Sequence, residues 1–352
     1  MAGIAEVARL AGVSKSTASR ALTGSGYTSD ETRERVRSAA ATLGYVASNS
    51  AVTLATGRTN TVGVVMPYLN RWFFAEVLEG IQQSLLERGL DLTLYDAKPG
   101  TVGRSLIFQD YLARKRFDGL IAVGLEPDDR EFDRLVQLGR PVVTVVGSAD
   151  TTTDVAIDDD FAARRATEHL VALGHRRIAF IGGTPQQHWA HVDRRRLDGY
   201  RGAMADAGLA EHASHIISEV TVPGGYASAV DVLGDARSRP TALVATCDEV
   251  AIGAIIAARR LGVQVPSDLS VIGIDDHEFA EMFSLTTLRQ VPREQGRVAV
   301  DLLLTHIAEP DKAKAVVRMR STLVVRNSTS ALDPQHSAVV VDSRQRQADA
   351  SR

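Results

Sequence analysis

Over the first 45 residues, apolar side chains recur every three to four positions, the spacing of helices that bury one face. Ile4, Val7, Ala8 and Ala11 mark a first helix, stopped by Gly12. Ser14 is placed to cap a second that runs to about Leu22. After the Gly24-Ser25-Gly26 punctuation, Thr28 or Ser29 caps a third, with Val36, Ala39, Ala40 and Leu43 on its buried face. Asp30 and Glu31 fall in its first turn, where the helix dipole favours acid.

From Thr61 the rhythm changes. Strand-length apolar runs follow one another: 61–66, 90–95, 119–123, 141–146, 177–182, 242–246 and 269–275. Helix-length amphipathic segments separate most of them. Runs apolar throughout predict parallel strands buried on both faces, and the strand–helix alternation predicts an α/β doubly wound fold. This stretch is too long for one small sheet, so two lobes are expected. Gly89, Gly139, Gly174, Gly208 and Gly262 are placed to close helices.

The composition is that of a globular chain: 352 residues, 44% hydrophobic and 24% charged. The formal charge of −3 excludes a protein that coats nucleic acid with its whole surface. It also hides an asymmetry. Up to residue 58 there are seven basic side chains (Arg9, Lys15, Arg20, Arg33, Arg35, Arg37, Arg58) against four acidic ones (Glu6, Asp30, Glu31, Glu34), so a basic head precedes an acidic body. The lone cysteine, Cys247, excludes an intramolecular disulfide and a Cys-based zinc site, and fits a reducing cytosol. No apolar run reaches the length of a membrane span, and Glu6 and Arg9 interrupt the first apolar stretch, unlike a signal peptide.

Two short helices around Gly12 read as a helix–turn–helix, whose second helix presents its N-terminal side chains to base edges in the major groove. Lys15, Ser16 and Arg20 would face bases, and Thr17 and Ser19 suit phosphate contact. The run AGVSKSTASRALTGSGYTSDETRERVRSAAATLGY strongly resembles the DNA-binding head of the LacI/GalR family of bacterial transcription regulators. The resemblance continues through TGRTNTVGVVMP (56–67), FFAEVLEGI (73–81), FDGLIAVG (117–124), LVALGHRRIAFIGG (170–183), RLDGYRGAM (196–204), DEVAIGA (248–254), SVIGIDD (270–276) and LTTLRQ (285–290), covering residues 3 to about 330.

The resemblance implies a division of the chain. Residues 1–46 form the head, 47–58 a hinge helix and 59–330 a periplasmic-binding-protein-like effector and dimerisation domain. The N-lobe spans about 59–158 and 291–319, the C-lobe about 159–290 and 320–330. Residues 331–352, where the chain turns polar and ends in DSRQRQADASR, are expected to be a disordered tail. Tyr27 and Ser29 join the DNA-contacting set. Leu54, with Ala51 beside it, takes the place of the residue that wedges the minor groove open. Ala47 stands where the family has proline, and Val52 and Thr53 are weak helix formers, so this hinge is expected to fold only on DNA.

For the effector cleft the resemblance implies Phe73, Arg196, Asp275 and Gln290. Arg196 offers a fork of donors and Asp275 an acceptor, a pairing suited to vicinal sugar hydroxyls; a structural ion pair is the competing role. Cys247 replaces a polar contact of several relatives, which Asp248 is expected to supply. Trp72 and Trp189, the two tryptophans, fall in loops expected to rim the cleft, where they either stack on sugar or serve as core or interface. Asp158-Asp159-Asp160 reads as a helix cap rather than a metal cluster, and His188 and His191 lack an evident third ligand. Asp276-His277 reads as loop polarity. No cofactor, no metal and no catalytic motif is expected.

The expectation is a homodimeric, cytoplasmic, nucleoid-associated repressor of carbohydrate uptake or catabolism genes, bound to near-palindromic double-stranded operator DNA and controlled by a sugar or oligosaccharide. A purine or a sugar phosphate is the alternative effector, for which Arg71, Arg194 and Arg195 leave room. A transport solute-binding protein would have no use for the head, and a sugar enzyme would need a nucleophile or metal motif.

Overall fold

Serine caps start two of the three helices of the head. Helices α1 (Ile4–Leu10), α2 (Lys15–Thr23) and α3 (Asp30–Thr42) bury Val7, Ala8, Ala11, Ala18, Ala21, Val36, Ala39 and Ala40 against one another. Gly12, at φ +65°, turns the chain between α1 and α2. Ser14 Oγ accepts from the Thr17 N–H at 3.1 Å, and Ser29, rather than Thr28, caps α3 by accepting from the Thr32 N–H at 3.3 Å. The computed structural model describes residues 2–24, 26–45, 53, 56–147, 152–183 and 191–332. The hinge residues Ala51 and Leu54, Trp189, His188 and all but the first two residues of the expected tail lie outside these.

The body is built from β1 (Thr61–Met66), α4 (Trp72–Glu87), β2 (Asp91–Asp96), α5 (Val102–Leu106), β3 (Gly119–Val123), α6 (Asp129–Gln137), β4 (Val142–Val145), β5 (Thr153–Ile157), α7 (Asp159–Ala172), β6 (Ile178–Ile181), α8 (His191–Asp206), β7 (Ser214–Ile216), α9 (Val222–Leu233), β8 (Ala242–Ala245), α10 (Asp248–Arg260), β9 (Ser270–Asp275), β10 (Thr286–Arg289), α11 (Pro292–Ala308), β11 (Val316–Met319) and β12 (Thr322–Val324). Two six-stranded sheets result, ordered β11-β5-β4-β3-β1-β2 and β12-β10-β9-β8-β6-β7, parallel except for β12 against β10. The chain passes between them three times: after β5, after β10 and between β11 and β12. The first sheet is covered by α4 and α11 over Val64, Ile121 and Val143, the second by α9 and α10 on one face and α7 and α8 on the other.

All seven apolar runs are strands, but β2 is not buried on both faces. It lies at a sheet edge, paired only with β1, and turns Asp91, Leu94 and Asp96 outward. Five further strands, β5, β7, β10, β11 and β12, are short and carry Thr, Asp, Ser, His or Arg, so no apolar run announces them.

Close helix packing positions the site. A Cβ on Gly199 of α8 would stand 2.1 Å from the Asp160 carbonyl oxygen of α7, so only glycine lets the two helices approach this far. On the other sheet, Gly80 of α4 meets the Arg293 carbonyl of α11 in the same way.

Candidate functional site

On the head, α2 leaves Lys15, Ser16 and Arg20 exposed, and Tyr27 just beyond it is 94% exposed. Ser19 is half-buried. Two of the expected contact hydroxyls already have structural work: Thr17 Oγ1 lies 2.8 Å from Ser14 Oγ, and Ser29 Oγ donates to Thr32 Oγ1 at 2.9 Å. Serine and threonine at helix starts cap first, which explains both.

In the body, the loops that leave the carboxyl ends of the strands meet between the two sheets, the position where doubly wound folds bind ligands. The Trp72 ring, at the start of α4, stands 5.0 Å from the ring of His277, which follows β9. The Glu126 carboxylate, after β3, accepts from the His191 N–H at the start of α8.

Arg196 and Asp275, expected to work as a pair, have separate partners. The Gly199 contact brings α8 onto the start of α7, and Arg196 Nε and Nη2 reach Asp159 Oδ1 at 2.9 and 2.8 Å. Nη1 donates to the Thr246 carbonyl at 2.5 Å. Burial would strip the guanidinium of its proton, but the Asp159 and Asp275 carboxylates outweigh that and hold it charged. Asp158, as expected, caps α7 by accepting from the Phe161 N–H, whereas Asp159 is turned inward and buried.

Asp275 ends β9 with φ +136°, and Asp276 follows at +61°. Two successive non-glycine residues with positive φ are strained and persist only where their surroundings over-determine them. Asp276 is held by Arg326 at 2.7 Å and Arg289 at 2.5 Å, and its N–H donates to Thr287 Oγ1. The His277 N–H donates to Asp248 Oδ2 at 2.9 Å. The Asp276-His277 pair is therefore a brace, not simple loop polarity.

A buried relay runs from Asp275 across the crossover. Gln290 Nε2 donates to Asp275 Oδ1 at 2.6 Å, and Gln295 Nε2, on α11, donates to Gln290 Oε1 at 2.7 Å. Each amide donates toward Asp275 in turn, which leaves Gln295 Oε1 as the free end of the relay. That oxygen is buried without a partner among the described residues.

Asp248 does not line the cleft as expected. It is fully buried, with Oδ1 taken by the Thr287 hydroxyl at 2.7 Å and Oδ2 by the His277 N–H; a Cβ on Gly273 would sit 2.1 Å from it. Its carboxylate pins the strained turn from below. Burial pushes the Cys247 thiol well up, so it is a neutral group beside Arg196 and Asp275. Phe73 is half-buried against Phe74 and the core of the first sheet, rings 5.5 Å apart. Trp72 is half-buried too, in contact with the opposite lobe rather than the core.

Carboxylates dominate the charge here. Burial raises Asp193, Glu249 and Asp275, and the Asp248 carboxylate adds to the effect on Asp275. Among the cations, Arg196 is committed to Asp159, Arg195 to Asp158 at 3.1 Å, and the Arg71 guanidinium lies 3.8 Å over the Tyr68 ring. Arg194 is exposed. Among the described residues no group of three or more His, Cys, Asp or Glu side chains could hold a metal ion, and no helix is long and apolar enough to cross a membrane.

Sequence comparison agrees with this architecture. Residues 3–48 match bacterial regulatory proteins of the lacI family, and residues 167–329 match a periplasmic binding protein-like domain. The ribose operon repressor of Haemophilus influenzae is 32% identical over 339 residues, covering 94% of this chain and 100% of that one. The chain belongs to the LacI family. Among solved structures of LacI-family proteins, the transcriptional regulator CelR–cellobiose complex is similar with a TM-score of 0.68 at 31% identity, over 93% of this chain and 100% of that one. The lac repressor dimer bound to operator and the anti-inducer ONPF is similar with a TM-score of 0.81 at 27% identity, over 94% and 99%.

Reading the sequence alone missed Asp159, Gln295 and His277. Gln295 had a usable signal, a lone amide on the apolar face of α11. Asp159 had none beyond its place in an acidic cap.

Proposed function

We propose that this LacI-family chain is a sequence-specific transcriptional repressor whose operator affinity is set by a small uncharged sugar bound between the two lobes. One observation carries the reading: the buried Arg196–Asp159 and Asp275–Gln290 pairs sit where the two sheets' loops meet, in a chain that also carries a helix–turn–helix with exposed Lys15, Ser16 and Arg20. Polyols suit such a mixed set of fixed donors and acceptors. The carboxylate excess and the committed arginines disfavour a sugar phosphate.

In this reading residues 1–46 are the head, 47–58 the hinge, with Leu54 the wedge and Ala51 beside it, and 59–330 the effector and dimerisation domain. Two heads of a homodimer read the two halves of a near-palindromic site, as a two-fold axis requires. The protein acts in the cytoplasm on carbohydrate genes. Phe73, Arg196, Asp275 and Gln290 line the effector site, with Trp72 and Trp189 at its rim. The test is duplex selection from a random pool, followed by fluorescence anisotropy on the selected duplex with and without saccharides. A selected palindromic site whose affinity changes with a neutral saccharide supports the reading. No selectable sequence, or a response only to phosphorylated sugars, overturns it.

A further inference from the structure

His277 has an imidazole whose two nitrogens can be told apart. The Phe279 backbone N–H donates to Nδ1 at 3.0 Å. A backbone N–H cannot accept, so Nδ1 carries no hydrogen and Nε2 must. Burial, acting against the charged form, keeps the ring neutral, and the nearby Glu76 and Glu278 only temper this. No hydrogen-bond partner stands against Nε2 among the described residues. The ring packs against two others, Trp72 at 5.0 Å and 34° and Phe279 at 5.0 Å and 46°. Stacking uses the face of an imidazole and donation uses its edge, so the Nε2–H stays available while Trp72 lies against the ring.

We propose that His277 is a specificity-determining residue of the interlobe site, donating its Nε2–H to a hydroxyl or ring oxygen of the effector while Trp72 covers it from the opposite lobe. This rests on the sugar reading above. It adds to Asp275 and Gln290 a neutral donor two residues beyond the strained turn, with its tautomer fixed by the protein backbone. The position is set by a chain of contacts: Asp248 holds the His277 N–H, Thr287 holds Asp248, and Phe279 fixes the ring. The partner chemistry is an uncharged oxygen acceptor on a ring whose C–H face meets the indole.

The substitutions that separate this role from a structural one follow from the two nitrogens. His277→Asn retains an acceptor near the Nδ1 position for the Phe279 N–H and loses the Nε2 donor. His277→Gln retains a donor near the Nε2 position and loses the loop contact. The full-length protein is screened by thermal shift against neutral mono- and disaccharides, ribose and cellobiose included, and the binders are titrated by calorimetry. The proposal expects His277→Asn to melt and bind operator as the unsubstituted protein does, with saccharide affinity reduced about tenfold or more, and His277→Gln to recover part of that affinity. Unchanged saccharide affinity in His277→Asn overturns it. So does a joint loss of melting temperature, operator binding and saccharide affinity, which marks a loop brace. If no neutral saccharide binds the unsubstituted protein, the sugar reading fails and this proposal falls with it.

Discussion

Arg196 holds Asp159, 2.8 Å away, and leaves Asp275 to Gln290. The two charged residues expected to grip a ligand together have different structural duties, and their substitutions should therefore behave differently. Arg196 is the partner of a buried carboxylate. Arg196→Ala leaves Asp159 uncompensated, at a cost of about 3–5 kcal/mol. Melting temperature should fall by roughly 10 °C and effector binding should vanish with it. Joint replacement of Arg196 and Asp159 by apolar residues of similar size should restore melting without restoring effector binding. A single Arg196→Ala that melts normally contradicts the pairing.

Asp275→Asn should leave melting and ligand-free operator binding near normal, because the head is a separate helical unit and asparagine keeps an acceptor for Gln290. Above about pH 8, where Asp275 is ionised, effector affinity should fall by roughly 10- to 150-fold, the value of about 1.5–3 kcal/mol for a charged hydrogen bond. Calorimetric titration beside an operator-binding curve reads both.

The same residue sets a pH dependence. Asp275 is raised to about 8 by burial, tempered by Arg196, whereas an unfolded chain loses that proton near the ordinary aspartate value of about 3.9. Between these limits the native state binds more protons than the unfolded one, so this group's contribution to stability falls as pH rises. The ligand-free protein should lose melting temperature between about pH 5 and pH 8, and Asp275→Asn should flatten that slope. An identical slope in the variant removes Asp275 as its source.

Gln295 ends the relay on the first-sheet side. Gln295→Met fits a similar volume but removes the donor to Gln290 and the unpaired Oε1. Effector affinity should drop by a factor of about 5–12, as expected for the loss of one hydrogen bond of about 1–1.5 kcal/mol. Operator affinity without ligand should hold. A variant with unchanged effector titration shows that the relay is only filler.

How much of this could be read in the sequence depended on what each residue does. Seven strands were legible as apolar runs, most of them central strands whose burial demands such runs, and β2 among them although it lies at a sheet edge. Edge and crossover strands such as β7 and β12 were not, since their neighbours and not their own polarity define them. Arg196, Asp275 and Gln290 were placed by resemblance; Asp275 and Gln290 share a hydrogen bond, whereas Arg196 is held by Asp159. Asp248 could not be sorted from them, because an acidic side chain at a helix start looks alike whether it faces the cleft or pins a turn beneath it. Asp159 became visible only once Gly199 had brought two helices into contact.

On the head, Lys15→Ala and Arg20→Ala should each weaken binding to the selected operator by about 1–3 kcal/mol, with a smaller loss on random DNA. Equal losses on both duplexes would reduce these side chains to phosphate contacts. Anisotropy at two salt concentrations separates the cases, because phosphate contacts change the salt slope.

The central claim is that a ligand between the lobes and DNA on the head act on one equilibrium. Linkage requires the effect to be reciprocal: the factor by which a saccharide changes operator affinity is the factor by which operator changes saccharide affinity. The direct measurement is the full cycle on the dimer, with operator Kd with and without saturating saccharide and saccharide Kd with and without saturating operator. The account predicts two equal factors, both well away from one, and both collapsing toward one in Asp275→Asn at the same saccharide concentration. A saccharide that binds the unsubstituted protein tightly and leaves operator Kd unchanged would contradict it.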